Sequence, residues 1–79
     1  MPRYHLNLFD EQGPAPDDEG QDFEDLGSAR AEAIQGIRSI LADELLMGAI
    51  TLCGRIEIAD EDGHLLQTID FSEAVEIRR

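Results

Sequence analysis

Two acidic tetrapeptides, Asp17-Asp18-Glu19-Gly20 and Asp60-Glu61-Asp62-Gly63, come nearest in type and spacing to metal chemistry. A calcium loop needs oxygen ligands at alternating positions, glycine at the sixth and a bidentate glutamate at the twelfth. With Gly63 at the sixth position, Ile58 falls at the first and Ile69 at the twelfth. With Gly20 there, Ala15 and Leu26 take those places. Neither frame puts an oxygen where the ion demands one. Asp60 to Gly63 therefore reads as a turn, with the glycine free to take positive φ. Asp17 to Glu19 reads as a segment offering at most a weak, adventitious cation site. His5, His64 and Cys53 are the only imidazoles and thiol, and they are far apart in sequence, without the close spacing of a transition-metal motif. His5 is expected on the surface of a first strand, His64 at the opening of a later one, and Cys53 buried or half-buried. No metal or cofactor is expected.

Nucleophilic catalysis fares no better. Ser28, Ser39 and Ser72 all fall at helix-surface or capping positions, and no G-x-S-x-G elbow occurs. No phosphate-cradling loop is present, and all six bases are arginine, so no lysine could serve one. Eighteen carboxylates make the proximity of any two uninformative. The chain therefore reads as non-enzymatic.

Charge sets the field around whatever the chain does. Its net charge is −12, unevenly spread. Residues 1–25 carry eight acids against one base, residues 26–54 three against two, and residues 55–79 seven against three. Such a field repels nucleic acid and anionic membrane and steers basic partners inward. The arginines are dispersed, without a basic helix or an aromatic platform. Arg30 and Arg38 are expected to flank a helix's apolar stripe and pair with sheet acids. A single cysteine excludes an internal disulfide. The alternating first residues do not resemble a secretory signal, and no apolar run approaches a membrane span. A cytoplasmic protein is expected.

The elements that position these residues follow from periodicity. Arg3 to Phe9 alternates, with Tyr4, Leu6 and Leu8 on one side, as a half-buried strand does. Residues 10–24 form an acidic loop broken by glycine and proline, the segment most expected to be mobile. Gln21 to Glu24 can add a short edge strand around Phe23. Asp25 stands where an N-cap belongs. Leu26, Ala29, Ala33, Ile34, Ile37, Ile40, Leu41 and Leu45 then recur at helical spacing, and Gly48 ends the helix. Gly36 inside that helix suggests close backbone approach to the sheet or to a second subunit. Glu44 lies in line with Ile37 and Ile40 and is expected to overhang the sheet edge. Ile50 to Ala59 and His64 to Asp70 read as the arms of a hairpin. Asp70 to Val75 is a helical turn capped by Asp70 or Ser72, and residues 76–79 are a tail. Whether Val75 and Ile77 form a last strand is left open by the pattern.

The sum is one α+β domain, residues 1–79. One long amphipathic helix packs on a three- or four-stranded antiparallel sheet in the order β-loop-α-β-β. A chain of this size buries only about 60% of its unfolded surface, so self-association, with a dimer favoured, is expected. The candidate partner-binding residues are Asp17, Asp18 and Glu19 in the loop, for a basic protein partner, and the apolar Leu46 and Met47 beyond the main stripe. The leading functional reading is a protein-interaction module that self-associates. The alternative is a regulatory inhibitor or antitoxin-like protein whose acidic loop docks on a basic partner.

Several short motifs occur in a recognisable order: Met1-Pro2-Arg3-Tyr4, Asp17-Asp18-Glu19-Gly20, Asp25-Leu26, Ala29-Arg30, Glu32-Ala33 and Ile56 to Gly63. In this the chain resembles a family of short bacterial proteins known only as domain of unknown function 6894. Its members open M-P-R-Y/F, then carry an acidic D-x-E-G segment, a D-L…A-R-x-E-A helix and an I-x-V-x-D-E-x-G hairpin. The resemblance covers nearly the whole chain. His5 and Leu6 stand where aromatics are common in the family, and Glu11 where a glycine often follows Asp10. The resemblance implies no activity.

Overall fold

The computed structural model describes residues 1–78. Strand β1 (Arg3–Asp10) is followed by β2 (Gly13–Ala15), β3 (Gln21–Asp22), helix α1 (Leu26–Leu46), β4 (Arg55–Asp60), β5 (Leu65–Asp70) and the short helix α2 (Phe71–Ala74). All pairings are antiparallel, in the order β2-β1-β4-β5, and β3 pairs with the other end of β1. The sheet thus has five strands. β2 comes from the segment expected to be a loop, with Leu8 paired to Ala15, and β3 is the short edge strand open to Gln21–Glu24, formed at Gln21–Asp22 with Arg3 paired to Asp22. Asp10 starts this excursion by accepting from the Gln12 N–H at 2.8 Å, and Gly13 takes φ 104°.

α1 covers one face of the sheet. Asp25 caps it, its Oδ1 accepting from the Ser28 N–H at 2.8 Å. At the other end the Gly48 N–H donates to Leu45 and the Ala49 N–H to Glu44, with Gly48 at φ 98°. This is the paired-bond termination that left-handed glycine permits. Ala29, Ala33, Ile37 and Leu41 are buried, with Leu26, Ile34 and Ile40 packed beside them. They meet Tyr4, Ile56, Ile58 and Ile69 from the sheet, with Leu6 and Leu8 at the margin. Leu45, expected in the stripe, is 66% exposed. The reason is length. From Ala29 to Leu41 the helix rises about 18 Å, which matches the span of a six-residue strand at roughly 3.4 Å per residue. Beyond Leu41 the helix outruns the sheet.

Phe71 closes the core from α2 and is its largest fully buried side chain. Its N–H donates to the Gly54 carbonyl at 2.9 Å, and its ring lies against the Gly54 backbone. The chain before β4 is unpaired: regular pairing begins at Arg55 rather than Ile50. Cys53, expected to be at least half-buried, is exposed, and Gly54 occupies the buried position beside it. Asp70 sits at the N-cap of α2 but makes no side-chain cap bond. No strand forms among residues 75–78, and Arg79, the end of the expected tail, lies outside the described residues.

Candidate functional site

Three places hold the residues that the sequence singles out. In the acidic segment Asp17 is half-buried, and its carboxylate is fully occupied. Oδ1 accepts from the Gly20 N–H at 3.1 Å, and Oδ2 from the Leu6 N–H at 3.3 Å and Gln21 Nε2 at 3.4 Å. The Asp17 N–H donates to Asn7 Oδ1 at 2.8 Å, and its carbonyl accepts from the His5 Nδ1 proton. Arg3 bonds the Glu19 carbonyl at 2.7 Å and pairs with Asp22. The segment is thereby laid along β1 between β2 and β3. Leu6 would otherwise present an open edge donor there, and the Asp17 carboxylate fills it. Of the three acids expected to face a partner, Asp18 and Glu19 are exposed and Asp17 is a structural plug.

The second place is the β4–β5 turn. Here the fold brings together Asp60, Asp62 and His64, whose ligand atoms lie within 4.8 Å of one another. Ile58 and Ile69 exclude a calcium loop here, and His64 joins the two aspartates only through the fold of the turn. The D-x-D-x-H spacing was the available signal. The carboxylate of Asp60 is already engaged, with Oδ1 accepting from the Asp62 N–H at 3.0 Å and the His64 N–H at 2.9 Å. Oδ2 lies 3.2 Å from His64 Nδ1. These bonds, the His64 N–H first, hold the Asp60 carboxyl below its ordinary value of 3.8. The arrangement is that of an Asp-closed turn.

The third place is the projecting end of α1. Leu46 and Met47 are 85% and 87% exposed, with Leu45 and Ile50 beside them in sequence. Residues 45–54 contain no charged side chain. Glu44 points back rather than over the sheet edge, accepting from the Thr51 N–H at 2.8 Å and anchoring the descending chain. A recess of about 80 Å³ lies between Glu44, Thr51, Gly54, Phe71 and Asp10, well below the roughly 300–1,000 Å³ of ligand pockets. A broader open depression of about 420 Å³ lies between Pro2, Arg3, Tyr4, Asp60 and Leu66. Gly36 has nothing within 4 Å of an added Cβ, so it serves no close approach inside the chain.

Five acids, Asp10, Asp17, Asp25, Glu44 and Asp60, thus accept backbone N–H bonds at turns and caps. The helix arginines do not meet sheet acids as expected: Arg30 bonds Gln67 Oε1 at 3.0 Å and Arg38 the Ala74 carbonyl at 2.7 Å. Arg55 lies over the Phe9 ring, 4.4 Å from its centre, and pairs with Glu57. Among the described residues no helix is long and apolar enough to cross a membrane.

A family model described as a domain of unknown function (DUF6894) matches residues 3–72, from the first residue of β1 into α2. No curated protein matches, and no solved structure does.

Proposed function

Because the chain belongs to the DUF6894 family, whose function is unknown, we propose its role from its surfaces: a non-enzymatic protein-interaction module that self-associates. The observation that carries the interaction role is the uncharged end of α1, where Leu46 and Met47 stand almost fully in water on a chain of net charge −12; self-association is supported by the small core that a chain of this length can bury alone. Apolar residues grouped this way mark protein contact surfaces.

A second reading has its own support. The bonds of Asp17 fix the loop so that Asp18 and Glu19 project outward, a preorganised acidic tip suited to a basic protein. In this reading the chain is a regulatory inhibitor. One capture experiment from the lysate of the protein's own host separates the two, with three baits: wild type, L46E/M47E and D18N/E19Q. A specific protein held by wild type and lost with L46E/M47E supports the first reading, and one lost with D18N/E19Q supports the second. Equal recovery on all three baits contradicts both. Asp17 is left intact because removing it would disturb the loop itself.

A further inference from the structure

Among the described residues, β5 is the one long strand of the sheet with an uncovered edge. On the β1 side, β3 covers Arg3 and Tyr4, the Asp17 carboxylate takes the Leu6 N–H, and β2 covers Leu8 to Asp10. β2 is itself three residues long with Pro14 in its middle and Pro16 just after it, a poor template for a further strand. On the other side the sheet ends at β5. The backbone bonds at its ends, Asp60 N–H to His64 and Phe71 N–H to Gly54, run inward to the β4 side. Among the described residues nothing bonds the outer backbone groups of Leu65 to Asp70.

That edge carries few of the usual guards, the one charge in β5 being Asp70 at its C-terminal end. Leu65-Leu66-Gln67-Thr68-Ile69 contains no proline and no charge, and Leu65 and Leu66 are 58% and 42% exposed. Natural edges of this length are normally blunted by charge, proline or a covering segment. From these features we infer that the β5 edge is where two copies of this chain join, strand β5 pairing antiparallel with its counterpart across a two-fold axis. This rests on the self-association proposed above and gives it a location, leaving the end of α1 free for a different protein.

A second copy fits for three reasons. An antiparallel strand is complementary to itself about a two-fold axis, so one surface supplies both halves of the contact. Pairing uses the one long open edge of each copy, so assembly stops at two, with one continuous ten-stranded sheet from two five-stranded ones. The stretch from Leu65 to Ile69 carries no charge, so no like-charged side chains oppose one another along it when another chain of charge −12 approaches. Two such chains still repel as whole bodies, so screening should tighten the dimer. A basic extended peptide on the same edge would show the opposite salt dependence.

The test is hydrogen exchange read by mass spectrometry on the wild-type chain at low and high concentration, with light scattering on the same samples. The expected result is a dimer in which the outward amides of Leu65–Asp70 exchange at least about tenfold more slowly than in the monomer. Association should strengthen from about 0.1 M to about 0.5 M NaCl as the Debye length shrinks. L65E/L66E, changing two exposed side chains, should weaken it at least about tenfold. A dimer with unprotected β5 amides, or one unaffected by L65E/L66E, overturns the edge contact while self-association stands. A monomer at every concentration overturns both.

Discussion

Replacing Gly54 by alanine adds one methyl group where the core has no room for it. The position does not have positive φ, so the cost is packing rather than backbone strain. The new Cβ would stand 2.6 Å from Cε2 and Cζ of Phe71 and 2.9 Å from Cδ2. Ordinary contact begins near 3.4 Å, so ring and backbone must separate by about 0.8 Å. Phe71 is 1% exposed and belongs to the main core cluster, and its N–H is bonded to the Gly54 carbonyl. A retreat of the ring therefore pushes into the core, and a retreat of the backbone strains that bond. Overpacking of this kind costs about 1–3 kcal/mol. A chain of this length has roughly 4–12 kcal/mol in all, and each kcal/mol moves Tm by about 4–8 °C. Thermal unfolding followed by circular dichroism should show Tm lowered by about 4 °C or more. Adding Phe71→Leu should recover part of the loss, a coupling of at least about 0.5 kcal/mol in a double-mutant cycle. An unchanged Tm for Gly54→Ala, or strictly additive effects, would refute the packing described around Phe71.

Other perturbations have definite signs. Gly36→Ala should raise stability by about 1 kcal/mol in chemical denaturation, since the added methyl meets nothing and the helix gains propensity. Asp17→Ala should cost about 1–3 kcal/mol through its lost charged hydrogen bonds and speed exchange of the Leu6 amide. Asp60 gives a pH dependence. Its folded value lies below 3.8, so its ionised form stabilises the native state above that pH, and the contribution fades as pH falls through the folded value. The Tm of wild type should therefore drop more steeply than that of Asp60→Asn between about pH 5 and pH 2.

The parts of the fold legible in the sequence were those written in local periodicity. Leu26 to Leu41 repeats at helical spacing, Tyr4 to Leu8 and Ile56 to Ile58 alternate, and Asp25, Gly48 and Gly63 carry local conformational signals. What was missed depends on distant partners. β2 holds only Gly-Pro-Ala, which no propensity marks as a strand, and exists because β1 offers it an edge. Leu45 obeys the helical pattern yet lies beyond the reach of the sheet, a matter of relative lengths. Cys53 is exposed and Gly54 buried beside it because the Phe71 ring needs a position without a side chain. Among the candidate residues, Leu46, Met47, Asp18 and Glu19 are exposed, as a binding role requires. The role of Asp17 depends on Leu6 and Asn7, eleven and ten residues away along the chain, and was not legible.

Self-association is tested most directly by sedimentation equilibrium of the wild-type chain over about a hundredfold range of concentration, where mass action must show itself. The apparent mass should climb from the 8.8 kDa of one chain to twice that value and go no higher. A constant 8.8 kDa at every concentration would contradict self-association, and growth past two copies would contradict a sheet with one long open edge.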